Sequence, residues 1–293
     1  MNKDYILITP AYNEEKNIEA LIECIIAQTI RPIKWLIVND GSVDRTEELV
    51  KKYVQKDGFI EVLTLERENV ESYYSRKTTA FLKGYEYIKN TCHYDFIASL
   101  DADIIMPSDY YENILKEFYK NPMLGIASGL YVYKNNKKIE KIDYDKNYVP
   151  GSLQMFRKEC YEDIGGYVAL KYGGDDTLAT IMARMKKWQT QHFPEYEVVQ
   201  QRIVGTVGKN ILQAKFRQGQ TEYGVGSTPI FIIIKTIDRI LKEKPYILAS
   251  ISRLFGYTYC YLKREKRRLP IGVLEFLRKE QKSRLYRKMI RNM

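Results

Sequence analysis

The stretch Asp95-Phe96-Ile97-Ala98-Ser99-Leu100-Asp101-Ala102-Asp103 decides the fold, because an apolar run ends abruptly in two carboxylates. Ionised carboxylates at the tip of a buried strand are costly unless a positive charge compensates them. Side chains alternate along a strand, so Asp101 and Asp103 can project to the same side of the sheet edge. Oxygen ligands at this spacing suit Mg²⁺ or Mn²⁺, which bridge well to nucleotide phosphates. The alternative is a solvated turn in which both carboxylates cap the next helix.

The residues before Asp95 alternate between strand-like and helix-like patterns. Apolar residues recur at helical spacing from Asn17 to Thr29, and Asp44 with Glu47 forms a capping box that predicts a second helix. Three short apolar runs lie around these helices, each bounded by turn or polar residues as strands are: Tyr5 to Thr9, Trp35 to Asn39 and Ile60 to Leu65. The alternation predicts βαβ units, an α/β fold and a mostly parallel sheet flanked by helices.

Polar residues follow the ends of these predicted strands. Asp40 and Asp101 stand at two of the ends, and Pro10-Ala11-Tyr12-Asn13-Glu14 closes the first strand. Parallel sheets bind ligands beyond the carboxyl ends of their strands, because the loops from neighbouring strands meet there. We therefore expect one ligand site assembled from three strand ends.

Length and charge suggest one large domain with an appendage. The chain has 293 residues and a net charge of +10, and the positive excess lies at its end. Residues 226–293 hold 17 Lys and Arg against 5 Asp and Glu, whereas residues 1–225 hold 30 against 32. We predict a near-neutral α/β domain over residues 1–225 and a basic, aromatic, mostly helical region over residues 226–293.

The basic region combines apolar runs with a cationic cluster. Residues 230–234 and 246–262 are mostly apolar or aromatic, but Arg253 interrupts the second run, and neither reaches the roughly 18 uninterrupted apolar residues that span a bilayer. The run Lys263-Arg264-Glu265-Lys266-Arg267-Arg268 follows directly. This pattern suits docking on an anionic membrane surface, and it equally suits a helical cap packed on the domain with a solvated basic face. Nucleic acid is a weaker third interpretation, because no recognised nucleic-acid module accompanies the charge.

The cysteines and the amino terminus favour a reducing compartment. The 4 cysteines are widely spaced without a CxxC pair, which favours free thiols over a disulfide or zinc framework. Met1-Asn2-Lys3-Asp4 leads straight into the first predicted strand, so we expect no export signal. A cytoplasmic protein is the resulting expectation.

Four segments occur in an order that resembles family 2 glycosyltransferases. Three of them close predicted strands and the last follows about seventy residues later in the chain: Thr9 to Glu15, Val38 to Thr46, Asp101 to Asp103 and Gly173 to Leu178. The resemblance covers roughly residues 5–225, and Leu277 to Leu285 also resembles the tail of bacterial and archaeal members that build surface glycans. The resemblance implies the GT-A fold and inverting sugar transfer from a nucleotide-diphosphate donor.

The resemblance assigns the donor-binding residues motif by motif. The first nucleotide loop, which holds the base and ribose, is matched by four residues after the first strand: Pro10, Ala11, Tyr12 and Glu14. Asp40 resembles the aspartate that accepts a hydrogen bond from the base, a role that suits an ionised, acceptor-only carboxylate. Arg76 resembles the arginine beside the donor diphosphate, where a cation is expected, although Lys77 and Thr79 stand where the family has Asn and Gly.

The acidic pair after residue 100 resembles the metal site of the family. Asp103 matches the direct ligand of Mg²⁺ or Mn²⁺, and Asp101 would lie near the ribose or the water shell of the metal. The metal would stabilise charge on the departing nucleotide diphosphate. Many relatives have a further His ligand before an Arg, where this sequence has Gln200-Gln201-Arg202, and its two histidines, His93 and His192, are not well placed to substitute.

A second acidic pair, Asp175-Asp176, resembles the Glu-Asp pair of the family. Asp176 matches the catalytic base, which takes the acceptor proton on the face opposite the leaving group. Asp175 would contact the acceptor, and Gly151 with Ser152 would line the acceptor side. Apart from the resemblance, the two acids also suit the N-terminus of the apolar helix that follows Gly173-Gly174, where negative charge is favourable.

The resemblance as a whole implies metal-assisted transfer to a hydroxyl of a glycan or lipid-linked glycan at the inner face of the cell membrane, with no nucleic-acid partner. The alternative acceptor is a polyprenyl phosphate, whose nucleophile is already anionic. A sugar-phosphate nucleotidyltransferase would need a Gly-rich, basic loop after the first strand, which Pro10 to Glu15 lacks. An inert nucleotide-sugar binder has no need of a base, so the set Asp40, Asp103 and Asp176 disfavours it.

Overall fold

The computed structural model describes residues 4–67, 72–135, 138–140, 147–201, 211–240 and 245–291. The chain divides into two compact units. We call the first the N-terminal unit, which comprises Met1–Glu71, Arg76–Ala169 and Asp175–Arg202. The second, the C-terminal unit, comprises Ser72–Ser75, Leu170–Gly174 and Ile203–Met293.

Four parallel strands form one half of the sheet in the N-terminal unit. They are β1 (Tyr5–Ala11), β2 (Lys34–Asn39), β3 (Ile60–Thr64) and β4 (Phe96–Ser99), and their order across the sheet is β3-β2-β1-β4. The helices between them are α1 (Ile18–Ile26), α2 (Thr46–Val54) and α3 (Arg76–Ile88). The predicted alternation of strands and helices is confirmed for this half. Because these strands are parallel, their carboxyl ends lie at one edge.

The other half of the sheet is mixed in direction. Its strands are β5 (Ile104–Ile105), β6 (Leu124–Asn135), β7 (Lys138–Glu140), β8 (Met155–Arg157) and β9 (Gln189–Gln200), which bring the described strands to nine. β8 runs antiparallel to both β4 and β6, and β6 pairs with β9 in parallel. The helices of this half are α4 (Tyr110–Lys120), α5 (Lys158–Asp163) and α6 (Asp175–Met185). The predicted α/β class is confirmed. The sheet is parallel in the first half, as predicted for most of it, and the second half adds antiparallel pairs to the parallel pair of β6 and β9, because the βαβ pattern ends at β4.

The central strands are buried on both faces. Consecutive residues Ile6, Leu7 and Ile8 of β1 are fully buried, and the Trp35 indole N–H donates to Thr9 Oγ1 at 3.0 Å within the core. Apolar runs without alternation are typical of parallel strands that helices cover on both sides. The loops that follow these strands are therefore anchored to a well-packed sheet.

The predicted capping box at the start of α2 is wrong in detail. α2 begins at Thr46, and its backbone N–H donates to Asp44 Oδ1 at 3.0 Å across a two-residue turn. Glu47 does not reach back to Asp44; its carboxylate accepts from the Asn39 side-chain amide at 2.9 Å and pairs with Lys51 at 2.6 Å. The side-chain amide of Asn39, at the end of β2, is a hydrogen-bond donor that is not part of a capping box, and Glu47 accepts from it instead of from the backbone N–H of Asp44.

The described part of the C-terminal unit is mainly helical, with α7 (Ile211–Gly224), α8 (Pro229–Arg239), α9 (Tyr246–Leu262) and α10 (Val273–Arg291). α7 packs along α9, and a small core forms around Tyr223, Ile232, Tyr257 and Cys260. The unit therefore starts earlier in the chain than residue 225, where the sequence places the boundary, because α7 belongs with the helices that follow it. None of the described helices combines the length and apolar character needed to cross a bilayer.

Candidate active site

The predicted strand-end segments lie together at the carboxyl edge of the sheet. The backbone N–H of Asp40, after β2, donates to the Ala11 carbonyl at the end of β1 at 2.9 Å. After β4, the Asp101 N–H donates to the Ser152 carbonyl at 3.1 Å. The first contact joins two predicted donor-side segments, and the second joins Asp101 to the predicted acceptor-side segment.

A shallow cleft, open to solvent, lies beside Asp40. It is lined by acidic, basic and apolar side chains from β2, the end of β3 and α3: Asp40, Leu65, Glu66, Arg76, Thr79, Ala80 and Lys83. Arg76 Nη1 lies 3.8 Å from Asp40 Oδ2, and these are the two of the seven predicted donor-binding residues that line this cleft. The mixture offers carboxylate acceptors for N–H groups and cations for an anionic ligand.

The residues at the end of β1 and in the loop after it differ in their contacts, and several of them do not line the cleft at Asp40. The Arg67 guanidinium lies over the Tyr12 ring at 3.6 Å from its centroid, which fixes the plane of the ring. Glu14 is held at the start of α1, since its carboxylate accepts from the Asn17 side-chain amide at 2.8 Å and its N–H donates to Thr46 Oγ1 at 2.7 Å. Glu14, Pro10 and Ala11 do not line the cleft, so their donor-binding roles stay predictions.

Lys77, at the start of α3, is the residue that sequence reasoning missed. Its ammonium pairs with the Asp101 carboxylate and lies 3.5 Å from the Gly151 carbonyl oxygen. Burial alone would lower the pKa of Lys77, but the carboxylates of Asp101, Asp175 and Asp176 outweigh it, so the pKa is raised. The sequence contained a signal, because Lys77 replaces an expected Asn next to Arg76, but its partners are distant in the chain.

Asp103 is a buried carboxylate next to a second negative charge. Its exposed fraction is 7%. Burial and the charge of Asp101 raise the pKa of Asp103 to about 6, against the opposing effects of a hydrogen bond from the Gln200 side chain and the charge of Lys77. The Gln201 N–H also donates to the Asp103 carbonyl at 2.9 Å. The glutamines expected near the metal position are therefore beside Asp103, and Arg202 lies outside the described residues.

Asp176 is placed in the first turn of α6, which begins at Asp175. Its two oxygens accept from the Thr177 N–H at 2.7 Å and from the Gly151 N–H at 3.2 Å. Burial and the charge of Asp175 raise the pKa of Asp176 to about 6, although both N–H groups and Lys77 lower it. A carboxylate with such a pKa is ionised at neutral pH and basic enough to accept a proton.

Gly151 allows this contact because it has no side chain. A Cβ at this position would lie 2.6 Å from the Asp176 Cβ and 2.9 Å from Oδ2. The position expected on the acceptor side is therefore also the direct neighbour of the expected base.

The backbone before Gly151 is bound at three consecutive carbonyls. Thr190 Oγ1 donates to the Asn147 carbonyl at 3.0 Å, and His192 Nδ1 donates to the Tyr148 carbonyl at 2.8 Å. The Gln154 amide donates to the Val149 carbonyl at 2.8 Å and to the Asp176 carbonyl at 3.2 Å. The Tyr167 hydroxyl donates to Gln154 Oε1 at 2.5 Å and fixes the orientation of the amide. Residues 147–149 and the start of α6 are thus held by one buried network.

The residues present suit a divalent cation only when a ligand supplies further oxygens. Within the described ranges, no group of three or more His, Cys, Asp and Glu side chains is arranged to hold a metal. Asp101 and Asp103 provide carboxylate oxygens, the kind that Mg²⁺ and Mn²⁺ prefer. His192 binds the Tyr148 carbonyl and His93 lies 3.6 Å from Asp95, before β4, so neither histidine is at the carboxylate pair.

A mixed α/β sheet with acids clustered at its carboxyl edge is the arrangement that the sequence predicts for the GT-A class, and the Lys77 ammonium lies beside these acids. The sequence profile described as "Glycosyl transferase family 2" matches residues 6–169, more than half of the chain. The chain belongs to glycosyl transferase family 2.

Two curated relatives illustrate the range of similar proteins. The chain is 28% identical over 173 residues to poly-beta-1,6-N-acetyl-D-glucosamine synthase of Staphylococcus aureus, an alignment that covers 53% of this chain and 39% of that protein. It is 26% identical over 151 residues to the uncharacterized glycosyltransferase EpsJ of Bacillus subtilis, which covers 52% and 38%. The matched part thus spans about two fifths of the length of these relatives.

Solved structures share the fold at low sequence identity. Mannosyltransferase PcManGT from Pyrobaculum calidifontis, in complex with GDP-Man and Mn²⁺, has a TM-score of 0.60 at 16% identity and covers 89% of this chain and 88% of its own. Residues 1–349 of S. aureus TarS in complex with UDP have a TM-score of 0.54 at 14% identity, with coverage of 92% and 94%. These likenesses confirm the predicted GT-A fold.

Proposed function

We propose that this chain is an inverting glycosyltransferase that moves a sugar from a UDP- or GDP-sugar to a hydroxyl of a glycan or lipid-linked glycan. The observation that supports this most is the shared electrostatic cluster of Lys77, Asp101 and Asp176. It combines a cation for a leaving diphosphate with a carboxylate poised to accept a proton. A protein that only binds nucleotide sugars needs the first of these and not the second.

The donor would occupy the cleft at Asp40 and Arg76. Asp40 offers acceptor oxygens for an N–H of the base, and Arg76 offers donors for phosphate oxygens. Structures of the same fold hold GDP-Man in PcManGT and UDP or UDP-GlcNAc in TarS. This support extends to nucleotide sugars as a class, and both bases stay candidates.

Asp176 would act as the general base. The acceptor hydroxyl would attack the anomeric carbon from the face opposite the diphosphate, and its proton would pass to Asp176 as the new glycosidic bond forms. The bond between the anomeric carbon and the diphosphate oxygen breaks at the same time, and the diphosphate leaves with the electron pair. Lys77 is positioned beside Asp101 to stabilise this negative charge. Asp176 then releases the proton to solvent.

Asp103, with Asp101 beside it, would hold Mg²⁺ or Mn²⁺ together with diphosphate oxygens. A bound cation supplies Lewis-acid stabilisation of the leaving diphosphate. Asp103 fits this role because its buried carboxylate sits against a like charge, and a cation relieves that repulsion.

A hydroxyl acceptor is favoured over a polyprenyl phosphate by the state of Asp176. Its raised pKa, about 6, suits removal of a proton, whereas a phosphate nucleophile is already ionised and has little use for a base. Gly151, Ser152 and Asp175 would line the acceptor side. We further propose a cytoplasmic protein that is peripheral on the inner face of the membrane, supported by the apolar and basic composition of residues 226–293.

A donor screen tests this proposal. UDP- and GDP-sugars with Mg²⁺, Mn²⁺ or chelator would be compared by nucleotide release, and we expect one base to be strongly preferred. Asp103→Ala should weaken diphosphate binding and remove its dependence on divalent ions in calorimetric titrations, because a direct ligand is lost. Equal metal dependence in wild type and variant would refute the role of Asp103, and release from none of the donors would contradict the transfer itself.

A further inference from the structure

α9 presents most of its large apolar side chains outward, while Tyr257 and Cys260 face the core of its own unit. Phe255 is 65% exposed and Leu262 is 74% exposed. They share one side of the helix, at intervals of three or four residues, with further exposed apolar side chains: Ile247, Ile251 and Tyr259. In α9, all of whose residues are described, the one charged side chain is Arg253, and it is 2% exposed. The outward face is therefore continuous, apolar and uncharged.

The inward face of α9 combines Tyr257 with small and polar residues. A Cβ at Gly256 would lie 1.9 Å from the Phe216 carbonyl oxygen of α7, and one at Gly219 of α7 would lie 1.9 Å from the Arg253 carbonyl oxygen. The two helices therefore approach at backbone distance, and the Arg253 guanidinium donates to Gln218 at 2.8 Å between them. Helix pairs packed in a membrane environment often approach closely through small residues, and polar side chains form hydrogen bonds between them.

Cationic residues adjoin the carboxyl end of this face. Four exposed basic residues follow α9 within six positions: Lys263, Arg264, Lys266 and Arg268. The acid among them, Glu265, pairs with Lys171 at 3.1 Å and so does not cancel the surface charge. Contiguous apolar surface of this kind marks an interaction site, and the adjoining cations select a negatively charged partner.

We propose that the outward face of α9 lies in the interface of an anionic membrane, with the helix axis in the membrane plane and residues 263–268 among the headgroups. The helix has 17 residues and does not span the bilayer. An interfacial helix that combines apolar insertion with attraction to anionic lipid matches this arrangement. α8 has a similar stripe of exposed side chains at Ile230, Ile233 and Ile237. This inference rests on the membrane location proposed above but not on the transfer chemistry.

Vesicle sedimentation tests the inserted face. The full chain should pellet with vesicles of phosphatidylcholine and phosphatidylglycerol at low salt, and less so as salt rises. Ile251→Ser with Phe255→Ser should weaken binding by roughly ten-fold or more, since buried apolar side chains contribute that much to partitioning. The matched control is Tyr87→Ser with Met123→Ser, which removes exposed apolar side chains from the N-terminal unit and should bind like wild type.

A depth measurement separates insertion from surface attraction. Tryptophan introduced as Phe255→Trp should be quenched by brominated lipid, whereas Tyr87→Trp should not. Changing Lys263, Arg264, Lys266 and Arg268 together to Gln should remove the salt dependence of binding. UDP and GDP titrations of the same variants keep the two proposals apart, because α9 contributes no residue to the active site, and a failed donor screen would not alter vesicle binding.

Three outcomes would overturn the inference. Wild-type protein could stay in the supernatant with anionic vesicles at low salt. The Ile251 and Phe255 variant could bind as well as wild type, which would make the contact purely electrostatic. Sedimentation without lipid could reveal a dimer that this variant dissociates, which would mean that a second copy of the chain covers the face.

Discussion

In the N-terminal unit, the apolar side chains of β1 and β2 point into a core, and charges gather at the carboxyl edge of the sheet. In the C-terminal unit, by contrast, α9 turns most of its large apolar side chains outward and buries Arg253. The same residue types thus serve opposite purposes. Burial in the first unit fixes the geometry of reacting groups. Exposure in the second leaves apolar area available to a partner, and this contrast predicts where substitutions affect catalysis and where they affect neither catalysis nor folding.

The largest effect is expected at Asp176. Asp176→Asn preserves shape but removes the proposed base, and loss of a positioned general base costs about 10²–10⁴-fold in rate. Nucleotide release with acceptor present measures this, and donor binding should change little. Asp109→Asn, an exposed acid in the same unit, is the control. If Asp175→Asn loses as much activity and Asp176→Asn keeps it, Asp175 is the base.

The second largest effect is expected for Lys77→Gln, which should lower the transfer rate by about 10²-fold. This is the size typical of losing one preorganised donor to a developing charge. The pH profile sharpens this test. Asp176 must be ionised to act, so kcat/KM should fall as the pH drops through about 6. Removing Lys77 takes away a positive charge that lowers the pKa of Asp176, so the midpoint should move upward. Lys120→Gln, at an exposed ion pair on α4, should leave the midpoint in place.

Gly151→Ala should cost about 10²-fold, because small displacements of reacting groups have effects of that order. The added methyl group would meet the Asp176 Cβ at 2.6 Å and push the carboxylate from its place. Gly58→Ala is a close control, since nothing lies within 4 Å of a Cβ there. Equal activity of both variants would mean that Asp176 does not need its present position.

The smallest effect is expected at Phe255. Phe118→Ala, in the core of the N-terminal unit, should lower the free energy of unfolding by about 3–5 kcal/mol. Phe255→Ala should stay within about 0.5 kcal/mol of wild type, as surface substitutions usually do. Urea unfolding followed by circular dichroism compares the pair. A large loss for Phe255→Ala would show that its side chain supports the fold of its own unit and is not reserved for a partner.

The sequence predicted the N-terminal unit well for a physical reason. Asp40, Asp101 and Asp103 follow parallel strands, and the carboxyl ends of such strands must meet. The contacts between these loops depend on side chains far apart in the chain, and this is why Lys77 was read only as a departure from a family pattern. Gly151 was expected on the acceptor side, but its contact with Asp176 became visible only in three dimensions.

The sequence predicts that the C-terminal unit is helical and basic, but it does not predict the direction in which the apolar side chains of α9 face. Periodicity identifies an apolar side of α9 without saying whether that side faces a core or the outside. Arg253 interrupts the apolar run in the sequence, yet it lies inward against Gln218, so the outward face is uninterrupted. Packing against the helices of its own unit and docking on a membrane use different sides of α9, so the first does not exclude the second.

The network that binds the carbonyls of residues 147–149 has a consequence for redesign of specificity. Thr190 and His192 reach these carbonyls from β9, and Gln154 connects them to the start of α6. A loop with a different backbone path, transplanted from a relative, would move its carbonyls away from these donors and would shift the start of α6, where Asp176 lies. Chimeras at this position should therefore exchange residues 147–154, α6 and the matching part of β9 together, all taken from the same relative.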